Sequence, residues 1–545
     1  MDKFTIGFDF GTRSARALLL NISSGEEIGY TEYSYPHKIL DRELPCGKKL
    51  EKHWALQHPQ DYLDSVTKCI PSLLSTYSVP PEQIVAIGID FTACTVLPTK
   101  SDGTPLCFLK EYECEPHAYV KLWKHHAAQY CAEIINKKAV ERNESFLKRF
   151  GGKISSEFYF PKLLQIALEA PQIFENADLF IEAADWLTWK LTGKLCRSAS
   201  FAGYKAMWDK KEGYPSKDFL DSLKDGFGEK SYSLLKGDIL MPCTIAGYIS
   251  NEFASLTGLT TKTAVITPII DAHSALFSAG IHKKDEMLII MGTSGCHVSL
   301  SDTYKEIPGI LASVQDGILP DFFGYESGQS GFGDHFEWLS NNFVPESLSK
   351  QAREKDTNVL ELLEEKAKQQ KPGEHGLIAL DWFNGNRSPL NDSDLSGLIL
   401  GLNLNTKPED IYRALVEAIA YGSRKIIENY EKHDFSINSV CACGSLSKND
   451  FIMQIFADVL GKEIKIADSE NGSALGSAII AASASGELAL DDAITKLCKL
   501  RTSSYKPIPE NQEIFDKLYS EYSKLYNYFG CGENNVMKEL NKYKK

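Results

Sequence analysis

Three stretches of this chain share one design, an apolar run in strand alternation that ends on glycine and a hydroxyl residue, and that design constrains the fold most. In the first, Phe4, Ile6, Phe8 and Phe10 alternate with Thr5, Gly7 and Asp9, and Gly11-Thr12 then turns the chain into a second apolar run, Ala17 to Leu20. The pattern predicts a hairpin with a carboxylate, Asp9, near the end of its first arm. Glu286 to Met291 leads in the same way into Gly292-Thr293-Ser294, and Ile437 to Ala442 leads into Cys443-Gly444-Ser445. No tandem period of ~20 to 50 residues accompanies the repetition, so it points to two related halves rather than a solenoid. A division is expected near residue 280, giving units 1–280 and 281–545.

A tip of this kind offers backbone N–H groups and a hydroxyl to phosphate oxygens, and an acid just before it is placed to hold a hydrated Mg²⁺. An ordinary hairpin, with glycine in the turn and a solvated acid at the strand end, accounts for the same residues. Several tips together could surround one nucleotide. The familiar nucleotide motifs are absent: there is no GxxxxGK[ST], no GxGxxG after a strand and no HRD to DFG series. A P-loop enzyme, a Rossmann dehydrogenase and a protein kinase are therefore disfavoured.

The chain is too long, at 545 residues, for one core. A net charge of −14 argues against a nucleic-acid surface, which needs excess Lys and Arg. No stretch approaches ~18 uninterrupted apolar residues, so no membrane span is expected. The N-terminus enters a strand directly, without a basic region and apolar signal core, and secretion is not expected. The 13 cysteines are odd in number, scattered and free of any CxxC pair, which reads as reduced thiols in a cytoplasmic protein.

Along the chain, Ile84 to Phe91 reads as a strand followed by Thr92-Ala93-Cys94-Thr95, small residues that suit either a pocket floor or a turn. Residues 118–150 and 161–191 have helical periodicity. Lys205 is a lone cation in the aromatic segment Phe201 to Trp208, either a snorkelling surface residue or a ligand for something polar. The apolar run Ala264 to Ile270 delivers Asp271 to a helix start, where it is either an N-cap or a catalytic base. Thr406 and Glu409 have the spacing of a capping box, and the charged run 350–371 reads as a solvated helical face.

These motifs together resemble a known family. DFGTRSAR from Asp9, IDAHSA from Ile270, MGTSGC from Met291 and CGSLSKND from Cys443 are similar to the phosphate and adenosine motifs of the FGGY carbohydrate kinases, and Gly397 to Leu402 followed by Asp410 to Glu417 resembles the family's C-terminal signature. The likeness runs along nearly the whole chain. Within the family, IDFTACTVLP from Ile89, GYKAMW from Gly203, GYESGQS from Gly324 and DWFNGNRSPL from Asp381 look most like members that act on L-ribulose. Gln165 stands where many members carry Trp.

The resemblance implies an α/β fold of two actin-like (ribonuclease H-like) ATPase domains flanking a catalytic cleft, and ATP-dependent phosphorylation of L-ribulose at its terminal hydroxyl. It implies Asp271 as catalytic base and sugar contact, Asp9 as Mg²⁺ organiser, and Gly11, Thr12, Arg16, Gly292 and Thr293 as phosphate contacts. Gly444, Ser445 and Asn449 match the adenosine side and Gly333 a further nucleotide contact, while Ala93, Lys205 and Glu326 match sugar-binding positions. The partner implied is a small sugar, with a homo-oligomer compatible with it. A kinase of another ketopentose or polyol, and a non-catalytic nucleotide-binding sensor, are the alternatives.

Overall fold

The computed structural model describes residues 2–543 and is built around two sheets of the same order. In the first, β1 (Phe4–Phe10), β2 (Ser14–Asn21) and β3 (Glu27–Ser34) run antiparallel. Then β4 (Ile84–Phe91) lies parallel beside β1, and β5 (Ala264–Ile266) lies parallel beside β4. In the second, β6 (Glu286–Met291), β7 (Gly295–Ser301) and β8 (Phe323–Gln329) repeat the antiparallel trio. The parallel pair follows again, β9 (Ser439–Cys443) beside β6 and β10 (Ile464–Ile466) beside β9. Four helices position the site: α1 (Ala199–Ala206), α2 (Asp271–Ser278), α3 (Gly333–Asn342) and α4 (Gly472–Ala484).

The centre of the first sheet is a duplicated pentad. Ile6-Gly7-Phe8-Asp9-Phe10 in β1 and Ile87-Gly88-Ile89-Asp90-Phe91 in β4 lie side by side, residue against residue. Their apolar members are fully buried, and the Phe10 and Phe91 rings stack with centroids 4.9 Å apart. Each buried Phe contributes about 1.5–3 kcal/mol of hydrophobic stabilisation.

The two glycines of the pentads make room for α4, which returns from the far end of the chain to lie on β1 and β4. A Cβ on Gly7 would sit 1.8 Å from the Ala474 carbonyl oxygen, and one on Gly88 would sit 2.0 Å from that of Ser477. On the helix itself, a Cβ on Gly476 would meet the Ser274 carbonyl oxygen of α2 at 1.9 Å. Thr5 Oγ1 donates to Ala478 O at 3.0 Å, and Ser274 Oγ donates to Ser473 O at 2.7 Å. The small residues Gly, Ser and Ala that make up most of 472–484 are thus what allows β1, β4, α2 and α4 to pack this closely.

This contact decides the sign of a simple substitution. Gly476→Ala gains up to about 1 kcal/mol of helix propensity but drives a methyl into a backbone carbonyl that has no free direction to move, an overpacking cost of about 1–3 kcal/mol or more. We expect Gly476→Ala to lower the urea midpoint. Gly472→Ala, whose Cβ would meet only the Ser278 hydroxyl at 3.3 Å, should leave it nearly unchanged.

Several local expectations need correction. Residues 119–125 are not helical: Val120–Lys121 is a short strand paired with Leu56–Gln57, and after a 3₁₀ turn at His126–Ala128 the α-helix begins only at Gln129. A strand, Leu179–Glu182, also interrupts the helical stretch 161–191, its four residues all buried against Val96–Thr99. The helix after Thr406 starts one residue later than the capping spacing suggests. Asp410 accepts the Lys407 N–H at 2.8 Å, and the Thr406 hydroxyl instead accepts the Asn403 N–H at 2.9 Å. Nor are all cysteines thiols: Cys46 and Cys114 form a disulfide with Cα atoms 5.9 Å apart, and the other 11 are free. The pairing of Leu56–Gln57 with Val120–Lys121 draws these two loops together across 68 residues, a separation at which spacing carries no signal.

Candidate active site

The end of the first sheet gathers three carboxyl groups from three elements. Asp9 and Asp90 are register partners on β1 and β4, and Asp271 is the first residue of α2. Ile270 occupies the capping position, and among the described residues the Asp271 carboxylate accepts only the N–H of Ala272, at 2.7 Å, so Asp271 is not an N-cap. Burial, and after it the charge of Asp9, lifts Asp271 to about 7. Asp90 is fully buried and takes a hydrogen bond from Ser477 Oγ of α4 at 2.6 Å. Burial and the adjacent Asp9 push it well above the usual carboxylate range, and burial raises Asp9 as well. Sequence reasoning passed over Asp90, although the repeated Ile-Gly-x-Asp-Phe pentad was the available signal. It also passed over Ser477.

The Gly and hydroxyl tips lie at the ends of the strands that open each sheet. Gly11 N–H donates to Ser14 O at 3.0 Å. Thr12 is held at two points, its hydroxyl accepting the Trp123 indole N–H at 3.1 Å and its carbonyl accepting Gln57 Nε2 at 2.9 Å. Arg16, opposite Asp9 in the hairpin, stands 3.5 Å from Glu32 with its side chain partly exposed. In the second sheet, Thr293 and Ser294 are exposed at the tip between β6 and β7. The start of α3 is bound to that tip, with Gly333 N–H on Gly292 O at 3.0 Å and Phe332 N–H on Thr293 O at 2.8 Å.

Gly444 ends β9 with φ +97°, and a Cβ there would lie 2.6 Å from the Met291 carbonyl oxygen, so only glycine lets the two strand ends approach. Ser445 is exposed beside it. The Asn449 side chain is engaged within the fold: it accepts the Ile452 N–H at 3.0 Å as a helix cap and donates to Glu364.

Lys205 and Glu326 come together although 121 residues separate them. Both line a cavity of about 210 Å³ with Glu157, Phe158, Asn386 and Arg387, whereas Ala93 and Asp271 lie outside its lining. Lys205, in the last turn of α1, is half-buried with its ammonium 5.4 Å from the Phe158 ring centroid. Burial disfavours the charge on Lys205, but Glu326 first, then Glu157 and Cys94, together more than offset that and its pKa is raised. Burial acts to raise Glu326, on β8, yet Lys205, His273 and Arg387 hold it down at about 2. The pair is therefore charged on both sides at any working pH. Arg387 also stands 3.7 Å from Glu157. Ala93 belongs to the turn after β4, where Thr92 and Thr95 share a hydroxyl hydrogen bond of 2.9 Å and Lys162 Nζ ties down Cys94 O at 2.6 Å.

Gln165, beneath this turn, bonds His125 at 2.9 Å and Lys121 at 3.3 Å in a buried polar cluster. A Trp there could not serve these partners. Arg387, Glu157 and His273 were not singled out from sequence, because a lone charge or imidazole has no periodicity that marks it.

Comparison with known proteins agrees with this geometry. Residues 4–278 match the FGGY family of carbohydrate kinases, N-terminal domain, and residues 287–485 match its C-terminal domain. A ribulokinase from Bacillus licheniformis is 49% identical over 538 residues, covering 97% of each chain, and one from Anoxybacillus flavithermus is 46% identical over 549 residues, covering 99% of this chain and 97% of the other. Among solved structures, a xylulose kinase from Rhodospirillum rubrum superposes with a TM-score of 0.81 at 22% identity over 96% of this chain and 98% of its own. Another, from Lactobacillus acidophilus, has a TM-score of 0.79 at 20% identity over 96% and 98%. At that identity the structures speak for the fold, the mixed α/β, actin-like architecture expected from the motifs. Two family domains that together span nearly the whole chain settle its membership: this protein belongs to the FGGY family of carbohydrate kinases and is an ATP-dependent sugar kinase.

Proposed function

We propose that the chain phosphorylates L-ribulose at its terminal hydroxyl, giving L-ribulose 5-phosphate and ADP. One observation carries the reading beyond the names of its relatives. A cation from the first sheet's side, Lys205, and an anion from the second, Glu326, share one small polar cavity close to a carboxylate raised to about 7. A ketopentose has hydroxyl and carbonyl groups for both kinds of partner, and buried polar groups left unpaired reject a less hydroxylated analogue.

In this reading Asp271 accepts the proton of the attacking hydroxyl. Its raised pKa suits that role, since a base poised near the operating pH combines an ionised form with real proton affinity. Lys205, Glu326 and the backbone at Ala93 hold the sugar. Gly11, Thr12, Arg16, Gly292 and Thr293 face the phosphates, and Gly333, Gly444, Ser445 and Asn449 the nucleoside. For Asn449, whose side chain caps a helix, the contact falls to its backbone or surroundings. We further propose that the chain works as two bodies divided near residue 280, with α4 returning to the first, and that it acts in the cytoplasm.

Mg²⁺ belongs to the same reading. Asp9 is a partly buried carboxylate beside a partly exposed tip, and among the described residues no group of three or more His, Cys, Asp or Glu is placed to cage a metal. That donor set fits a hydrated ion that takes most of its ligands from water and phosphate. Bound there, the ion would neutralise charge on the transferring phosphoryl group. Asp9→Ala should raise the Mg²⁺ concentration needed for half-maximal turnover while leaving the unfolding midpoint unchanged; equal Mg²⁺ dependence would remove Asp9 from this role.

A pH limb is expected as well. Turnover should rise with pH as Asp271 loses its proton. With a pKa of about 7 only about a tenth of it is ionised at pH 6, and an ion at Asp9 cancels part of the Asp9 charge and moves the limb lower. A rate flat from pH 5 to 8 would exclude Asp271 as the base. The substrate itself is tested by coupled ADP release with L-ribulose, D-ribulose, xylulose and glycerol: L-ribulose should give the highest kcat/KM, and a higher value for any other would overturn the assignment.

A further inference from the structure

His273 is buried at the junction of all three parts of the site, yet the mechanism above gives it no task. It lies two residues beyond Asp271 on α2 and is fully buried. Its ring packs on Tyr204 of α1 with centroids 4.3 Å apart, and its Nδ1 is 3.4 Å from Ser200 Oγ on the same helix. On its other side Nε2 faces Oε2 of Glu326, on β8 of the second sheet, at 3.4 Å. Neither of those two atoms has a closer hydrogen-bond partner among the described residues. Among the described residues the other Glu326 oxygen has one hydrogen-bond contact, Cys296 Sγ at 3.9 Å.

The polar directions are consistent from end to end. Ser200 Oγ faces the Ile270 N–H at 3.5 Å as acceptor, which leaves its own hydrogen for His273 Nδ1. Burial keeps the imidazole neutral despite Glu326, so with Nδ1 accepting, the single ring proton resides on Nε2 and points at the carboxylate. Two buried, otherwise unpartnered atoms facing each other across two sheets form a full hydrogen bond when they approach by a few tenths of an ångström.

We infer that His273 is a positioning residue for the sugar. It aims the Glu326 carboxylate into the cavity, and it ties the second sheet's sugar contact to the helix that begins with Asp271. The chain Ile270, Ser200, His273, Glu326 then starts one residue before the base and ends at the sugar, so closing on the substrate and setting the base are one movement. This inference rests on the sugar-kinase reading of the site, and its test includes a readout that does not.

The test compares His273→Phe, which keeps the ring and removes both nitrogens, with His273→Gln, which restores an N–H donor. His273→Phe should lower kcat/KM for L-ribulose by about tenfold and leave the KM for ATP within about twofold, and His273→Gln should recover most of the loss. In a Glu326→Gln background His273→Phe should add less than about twofold, because the partner it serves is already gone. The ligand-free readout is the imidazole ¹⁵N spectrum of the sugar-free protein, in which the His273 Nε2 signal should shift on Glu326→Gln. An unchanged signal, or a His273→Phe loss equally large in the Glu326→Gln background, would overturn the inference and leave His273 a packing residue. If no polyol stimulates ADP release the substrate reading fails, and the spectrum still decides whether the two residues pair.

Discussion

Asp271→Asn should lower turnover by the ~10² to 10⁴-fold expected for loss of a general base, with nucleotide affinity close to that of the unaltered protein. The substitution keeps the shape of the side chain and its contact with the Ala272 N–H, which donates to an amide oxygen as readily as to a carboxylate. It also removes a buried carboxyl whose ionisation Asp9 and Glu326 oppose, so stability should hold or rise slightly, and a fall in activity cannot then be traced to unfolding. Steady-state kinetics with saturating ATP and a nucleotide-binding titration on the same preparation separate these effects. Unaltered turnover would remove Asp271 from the chemistry.

The second large effect concerns Lys205 and Glu326. A hydrogen bond to a charged group contributes about 1.5–3 kcal/mol, so Glu326→Gln or Lys205→Met should each lower kcat/KM for the sugar ~10 to 150-fold while acting weakly on ATP. The two changes should not multiply. Glu326 owes its low pKa first to Lys205, against the effect of burial, and removing either member leaves the other charge buried without its partner, so the double variant should lose less than the product of the singles. A double-mutant cycle on kcat/KM measures this, and two small, independent effects would mean that the residues do not share a ligand.

What the sequence made legible is what repeats or carries period. The alternating runs before Gly11, Gly292 and Gly444 placed β1, β6 and β9, and the tips they end on are where the structure has its exposed or glycine-dependent turns. The approach of Asp271 to Asp9, and of Lys205 to Glu326, could be inferred only from family motifs, since nothing local links residues so far apart. The packing of α4 on β1 and β4 was missed. Its small residues look like low-information sequence until one sees that Gly7, Gly88 and Gly476 each face a carbonyl within 2.0 Å of a would-be Cβ. The strand at Leu179–Glu182 was absorbed into a helical pattern because a three-residue apolar run, Leu179 to Ile181, fits either period, and burial against Val96–Thr99 decided it. His273 had no sequence signal at all, since its significance lies in what faces it from another sheet.

The most direct test of the whole account is the fate of the transferred group. The protein is incubated with Mg·ATP and L-ribulose, and the mixture is followed by phosphorus NMR with proton-coupled assignment of the ester. The expected result is one sugar phosphate monoester, coupled to the two C5 protons, formed in equal amount with ADP and only when the sugar is present. Release of inorganic phosphate at the same rate without sugar, or an ester on any oxygen other than the C5 hydroxyl, would contradict it.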